Sequence, residues 1–350
     1  MAERKPLISV ITPTCDRPDD LRRSLDSLSR VTYPDWELIL VDQSHDDASE
    51  LIGAQFEGAL PRLVYERIGL KGSSRARNVG MRLASGDLFA FFDDDCTITP
   101  DWLDQVAATF ARHPEAALVC GTVASALDAT TTFVPEFRVS SERVLSGRMS
   151  GWHARGIGAA MYVRREAAER VGPWDEQLGN GGRFKACGDW DYAYRLLRLG
   201  SRIVLTPAVV VRHYGGRNYK DQAASRLWRS IAYAQGALIM KHLRCGDPIA
   251  PVWILVQGKR HLAMARPLNL VRRGRSSHLA RLAFYVRGLV ASFALPVDRK
   301  RRLYLDASAR AAGSQAIGRR ETTARGEVKG ARLGRRPKPG QSPGSPGPMV

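Results

Sequence analysis

The chain has 350 residues, 44% of them apolar, enough to bury one large core with appended elements. Its net charge of +18 is unevenly divided: residues 1–211 carry 25 Lys/Arg against 29 Asp/Glu, whereas 212–350 carry 28 against 6, so the later part reads as an anion-facing surface. Five scattered cysteines, Cys15, Cys96, Cys120, Cys187 and Cys245, form no C-x-x-C pair, which argues against a zinc thiolate site and for a reduced, cytoplasmic setting; no apolar leader precedes the first strand pattern.

Leu7 to Thr12 predicts a first strand, followed by Pro13 and a polar turn from Thr14 to Pro18. Leu21, Leu25 and Leu28 then recur at the spacing of one buried helix face. Glu37 to Val41 is a second strand ending on Asp42, Leu63 to Tyr65 a third, and Ser74 to Ala84 a helix. Leu88 to Phe92 is a fourth strand, with a helix from about Pro100. Shorter β-type runs cover 117–123 and 157–163, and the segment 124–155 predicts loop. Alternating strands and helices imply an α/β layer fold with helices covering a mostly parallel sheet.

The run FAFFDDDC, residues 89–96, places three carboxylates after an apolar strand. Asp93, Asp94 and Asp95 repel one another and lose hydration near a core, so a divalent cation is their natural counter-charge. In an extended segment Asp93 and Asp95 share one face and Asp94 takes the other, so the pair suits one Mg²⁺ or Mn²⁺. An acidic strand-to-loop turn is the plainer reading, and the position after a buried strand, where α/β folds bind ligands, outweighs it. Two common phosphate cradles are missing, since neither G-x-G-x-x-G nor G-x-x-x-x-G-K-[ST] occurs.

The stretches ISVITPTCDRPDDLRRSLDSL, WELILVDQSHDD, SRARNVGMRLASGDLFAFFDDDC, GIGAAMYVRREAAERVGPWDEQLG and GDWDYAYRLLRLG occur in order over roughly residues 7–215. Together they resemble family 2 glycosyltransferases with the GT-A nucleotide-sugar fold. The resemblance implies a nucleoside diphosphate sugar donor, a divalent metal and transfer with inversion. It also implies that Pro13, Asp16 and Asp42 line a nucleoside pocket, that Asp93 and Asp95 are the D-x-D acids, and that Asp189 is the base. The family often has Glu-Asp where this chain has Gly188-Asp189.

Asp42 ends strand two, where a carboxylate can accept a hydrogen bond from a base or ribose, or cap the following turn. Arg77 can contact phosphate or the strand-end acids, Asp94 is assigned with it to donor binding, and Asn78 can hold the loop; Arg75 and Arg82 read as a solvated helix face. Asp189 precedes the first firm turn of DWDYAYRLLRLG and can point into a cleft, ionised at neutral pH with a pKa of about 4. Asp191 can cap that helix and is the alternative candidate for the base. The glycine-rich stretch before it can admit an acceptor or form a mobile surface loop. His213, at the end of an apolar strand, can ligate the metal or touch the diphosphate, and Arg217 can neutralise phosphate charge. Trp152, His153, Trp174 and Trp190 flank the expected acceptor side, where core packing explains Trp174 at least as well as stacking.

From Ala223 the pattern is helical and basic, with Arg226, Arg229, Lys241 and Arg244 interrupting the apolar positions. Residues 278–297 and the cluster 299–302 suit an amphipathic, anionic-membrane contact as well as packing on the catalytic domain. The expected organisation is a catalytic domain over 1–222, a helical basic extension over 223–312 and a disordered tail over 313–350. The acceptor is expected to be a cell-envelope glycan or lipid-linked glycan at the inner membrane face; the sequence sets no oligomeric state. A nucleotidyltransferase would show a basic glycine-rich loop directly after strand one, which is absent. A nucleic-acid-binding module would leave the acids of residues 1–211 unexplained.

Overall fold

A computed structural model describes residues 4–127, 132–218, 223–264 and 276–306. The expected tail at 313–350 lies outside the described residues, as does part of the 124–155 segment. The strands are β1 (Ile8–Thr14), β2 (Trp36–Asp42), β3 (Leu63–Arg67), β4 (Leu88–Phe91), β5 (Cys96–Thr97), β6 (Ala116–Ser125) and β7 (Thr132–Phe133). They continue with β8 (Arg143–Leu145), β9 (Met161–Arg164), β10 (Arg202–His213), β11 (Arg217–Asn218), β12 (Val297–Asp298) and β13 (Leu303–Tyr304). The helices are α1 (Pro18–Leu28), α2 (Ala48–Gln55), α3 (Ser73–Leu83), α4 (Trp102–Arg112), α5 (Arg165–Val171), α6 (Gly188–Arg198), α7 (Ala223–Arg244), α8 (Ala250–Met264) and α9 (Ser276–Ala291).

The central sheet runs β3, β2, β1, β4, β9, β6, β10, β5, with β8 also on β10. The long pairings β1 with β2, β2 with β3, β1 with β4 and β6 with β10 are parallel. β9 is antiparallel to both β4 and β6. This is the expected mixed α/β architecture. β1, β2 and β4 are buried along their whole lengths, which is why they read as continuous apolar runs. Leu21, Leu25 and Leu28 of α1 are fully buried against one face of this sheet. On the other face, Trp174 and Tyr192 stack at 4.4 Å, with Phe91 edge-on to Trp174 at 5.0 Å.

Several boundaries differ from expectation for local reasons. β1 continues through Pro13, because β4 pairs only as far as Ile11 and Phe91, so the missing Pro13 N–H costs no bond on that side. α4 starts at Trp102 with Asp101 at its N-cap, which leaves Pro100 outside the helix. The acidic run is a turn and not an extended segment: β4 stops at Phe91, and the Cys96 N–H donates to the Asp93 carbonyl at 3.2 Å. The 124–155 segment contains β7, β8 and a 3₁₀ turn over Arg148–Trp152.

The C-terminal helices close against α6 through buried charge. Lys241 of α7 is fully buried and paired at 2.7 Å with both Asp175 and Asp191, so it is not one of a polar stripe. The α7 residue His242 and the α6 residue Arg195 meet Asp191 as well, each at 2.9 Å. Asp191 is therefore the centre of an ion-pair network and caps nothing. Among the described residues, no helix is long and apolar enough to cross a membrane.

Candidate active site

The strand ends of β1, β4 and β10 open onto one cleft of about 570 Å³, lined by Pro13, Gln43, Arg77, Asp93, Asp95, Asp189 and His213 among others. The chain reaches it by separate routes. β5, just past the acidic turn, pairs antiparallel with the end of β10, setting His213 opposite Cys96. The Tyr214 amide also donates to the Asp95 carbonyl at 2.8 Å. His213 Nε2 consequently lies 3.2 Å from Asp95 Oδ1, and its Nδ1 faces the Pro135 carbonyl at 3.3 Å. Burial opposes protonation of this imidazole, but Asp95 outweighs it and raises His213 above its ordinary value, so Nε2–H donates to Asp95 while Nδ1–H faces the carbonyl. Loss of the Nε2 proton would free its lone pair for a cation held beside the carboxylate.

The three acids have three environments. Asp93 is a quarter exposed, and its Oδ1 accepts from Arg77 Nη2 at 2.7 Å. Asp94 is fully buried and does not line the cleft: Thr14 donates to its Oδ2 at 2.8 Å and Arg17 holds its Oδ1. Burial together with Asp95 pushes its carboxyl up to about 7, against the pull of Arg17. Burial opposes ionisation of Asp95 too, but His213 and Arg17, the latter 2.6 Å from Oδ2, outweigh it and hold the carboxyl well below the usual range.

The donor atoms of Asp95, Cys96 and His213 all lie within 4.8 Å of one another. Burial and the neighbouring acids drive the Cys96 thiol far up, so it stays protonated and is a poor ligand. A Cβ at Gly215 would fall 2.5 Å from Asp95 Oδ2 and 2.6 Å from His213 Nε2, so the glycine preserves an open cradle between oxygen and nitrogen donors. That donor set fits Mg²⁺ or Mn²⁺.

Asp189 is in the first turn of α6 and not ahead of it, with Cys187 at φ 67° turning the chain into the helix. Its Oδ1 accepts from the Trp190 amide at 2.8 Å, and it lines the cleft. Burial raises the carboxyl above its ordinary value, Trp190 N–H and Arg77 pull it back, and Asp93 adds to the rise; the expectation of an ordinary pKa is corrected accordingly. Arg77 fills a slot that only glycine at 158 leaves open, since a Cβ there would meet its Nη2 at 2.7 Å. The guanidinium also lies over the Trp174 ring at 4.9 Å, linking Asp93 to the core at Trp174.

At the other end, Asp42 is fully buried and does not line the cleft: Tyr65 donates to Oδ2 at 2.7 Å and the Ser44 amide to Oδ1 at 2.8 Å. Asp16, at φ 54°, is held by Lys71 at 2.6 Å and the His45 amide at 2.8 Å, which keep its carboxyl well below the usual range. Arg217 is placed only by its backbone, antiparallel to Phe133; its side chain lies outside the described residues. Arg75 is paired with Glu176 at 2.9 Å, and Asn78 bonds Trp174 through both its amide atoms. The glycine-rich stretch is pinned, with Ser73 N–H donating to Asn180 O at 2.8 Å and Ser74 Oγ to Leu178 O at 2.6 Å. Trp190 lines the cleft, Trp174 is core and His153 is exposed.

Sequence reasoning missed Arg17, Gln43, Lys71 and Arg155. Arg155 lies over the rings of Trp152 and Trp190 at 3.8 and 4.3 Å, with Nε and Nη2 buried and without a hydrogen-bond partner among the described residues. No local pattern singles it out, although the basic DRP after strand one could have suggested Arg17 as the counter-charge to the acidic run.

Residues 9–172 match the Glycosyl transferase family 2 profile. Glycosyltransferase AglE of Haloferax volcanii is 27% identical over 271 residues, 73% of this chain and 77% of that protein. A PGL/p-HBAD biosynthesis glycosyltransferase of Mycobacterium tuberculosis is 30% identical over 211 residues, 60% of this chain and 77% of that protein. Among solved structures, the mannosyltransferase PcManGT of Pyrobaculum calidifontis, in complex with GDP-Man and Mn²⁺, superposes with a TM-score of 0.52 at 18% identity, over 91% of this chain and 84% of that one. Sequence kinship over most of the relatives' length, on a GT-A sheet whose strand-end acids open into one cleft, makes this chain a glycosyltransferase of family 2.

Proposed function

We propose that the enzyme moves a sugar from a nucleoside diphosphate sugar to a hydroxyl of a cell-envelope glycan or glycolipid, with inversion, in one displacement. The observation that carries this reading is the single cleft that joins Asp95 and His213 to Asp189 across Arg77 and Asp93. PcManGT, solved with GDP-Man and Mn²⁺, supports the donor class and the metal.

Asp189 takes the acceptor hydroxyl proton as that oxygen bonds to the anomeric carbon, and the bond to the diphosphate breaks with its electron pair on the leaving oxygen. Pro13 and Gln43 border the nucleoside end, with Lys71 beside them and Asp16 fixing Lys71. Asp42 and Asp94 act from beneath by shaping the strand ends, and Arg77 orients Asp93. Arg217 is assigned to the diphosphate. Asp93 and Asp95 with His213 would hold Mg²⁺ or Mn²⁺, which supplies positive charge to the departing diphosphate. The division into a catalytic domain over 1–222 and a helical basic extension over 223–312 belongs to the same proposal, as does a cytoplasmic enzyme in peripheral contact with an anionic inner membrane face.

Incubating purified enzyme with a panel of nucleoside diphosphate sugars, Mn²⁺ and an envelope lipid extract tests the reading. One donor should give product whose anomeric configuration, read by NMR, is opposite to the donor's. A retained configuration, or full turnover after verified metal removal, contradicts it.

A further inference from the structure

α7 and α9 pack at a reciprocal glycine contact: a Cβ on Gly236 would overlap the Tyr285 carbonyl oxygen, and one on Gly288 the Tyr233 carbonyl oxygen. Beside this contact the two helices, with Arg183 and Lys185 from the segment before α6, enclose a groove of about 660 Å³. Five cations line it: Arg183, Lys185, Arg226, Arg229 and Arg287. Among the described residues no carboxylate does, and none of the five is ion-paired with an acid. Arg229 Nε is buried with no hydrogen-bond partner among the described residues. The floor between these charges is apolar, formed by Tyr233, Phe284, Val286 and Val290, the last of which is 67% exposed.

Five uncompensated cations at the edge of a low-dielectric surface raise one another's cost, and an anion relieves it. The apolar floor is stabilised by covering hydrocarbon. One ligand answers both demands: an alkyl or prenyl chain ending in phosphate or diphosphate. The chain's own segments at 265–275 and 307–350 are net basic and match the groove poorly in charge. Lys185 lines both groove and catalytic cleft, and α7 is a wall of each, turning Arg226, Arg229 and Tyr233 to the groove and Leu227, Trp228 and Ile231 to the cleft.

We propose that this groove holds the phosphate and the adjoining hydrocarbon of a lipid-linked acceptor, with its glycan extending past Lys185 toward Asp189. The direction of the glycan rests on the transferase reading of the cleft, whereas the ligand class rests on the groove alone.

Calorimetric titration of the full chain tests it with dodecyl phosphate below its micelle concentration. Comparison ligands are inorganic phosphate, dodecyl maltoside and soluble dihexanoyl phosphatidylglycerol. Dodecyl phosphate should bind tightest, and replacing exposed Arg226 and Arg287 together by Gln should weaken it roughly tenfold or more, while the Arg→Lys pair keeps most of the affinity. Nucleoside diphosphate binding and the thermal midpoint should be unchanged in both variants. Equal affinity in the Gln pair overturns the site. Inorganic phosphate binding as tightly would make it a simple anion site, the maltoside an apolar one and the phosphatidylglycerol a bilayer contact, and each result overturns the proposal. Failure of the transferase reading shows separately, as lost nucleoside diphosphate binding with dodecyl phosphate binding intact.

Discussion

Asp189 and Asp191, two positions apart on α6, stand in opposite environments. Asp189 opens onto the cleft, and Asp191 is sealed among Lys241, Arg195 and His242. Replacing Asp189 by Asn should lower turnover by roughly 10² or more while donor affinity holds, as steady-state kinetics beside nucleotide titration would show. As the proposed base, Asp189 must be ionised, and burial raises its carboxyl, so kcat/KM should fall on the acid side with an apparent pKa above that of an ordinary carboxylate. Asp191→Asn should instead destabilise the fold by about 3–5 kcal/mol in urea unfolding, since Lys241 and Arg195 are left buried with too little counter-charge. At the cradle, His213→Ala should raise the Mn²⁺ needed for half-saturation by about an order of magnitude, read by Mn²⁺ paramagnetic resonance without donor. Unchanged Mn²⁺ binding would remove His213 from the ligand set.

Among the elements, α7 serves several neighbours at once. One side supplies Lys241 and His242 to the network under α6, another meets α9, and its first turns border both cavities. The close α7–α9 approach depends on having no side chain at Gly236 and Gly288. Gly288→Ala should therefore cost about 1–3 kcal/mol in urea unfolding, because the added methyl must push the backbones apart. A neutral or stabilising result would mean that the helices can separate freely there.

Across the molecule, the C-terminal elements are joined to the catalytic layer by titratable groups, which makes stability depend on pH. Burial drives the His242 imidazole down to about 4, against the pull of Asp191. The unfolded chain takes up the proton near the ordinary value of about 6.5 and the folded one does not, so this contribution is complete above that pH and is lost as pH falls toward the folded value. Between pH 7 and 5 the loss should be on the order of 2 kcal/mol. Asp94, raised to about 7, works in the opposite direction and His261, lowered to about 4, in the same one, so the contribution is read as the difference between wild type and His242→Gln in urea unfolding at the two pH values. The same slope in both proteins would place the acid sensitivity elsewhere.

The sequence alone was enough for the order of strands and helices, the α/β class, the family resemblance and the carboxylates at the strand ends. Buried strands, amphipathic helices and turn residues follow from interactions within a few positions, and a local pattern records those. Element ends moved where a neighbouring strand stopped, as at Pro13, or where a turn closed, as at Asp93 to Cys96. Which acid faces what was decided by packing across long separations. Thr14 and Arg17 hold Asp94 from about 80 residues away, Tyr65 covers Asp42, and Lys241 neutralises Asp175 and Asp191. Arg155 between two indoles and the uncompensated cations of the α7–α9 groove likewise exist only once the chain has folded. Charge can be counted along a sequence, but desolvation and partner choice are properties of the folded surface, and these set which carboxylates open onto the cleft and which hold the structure together.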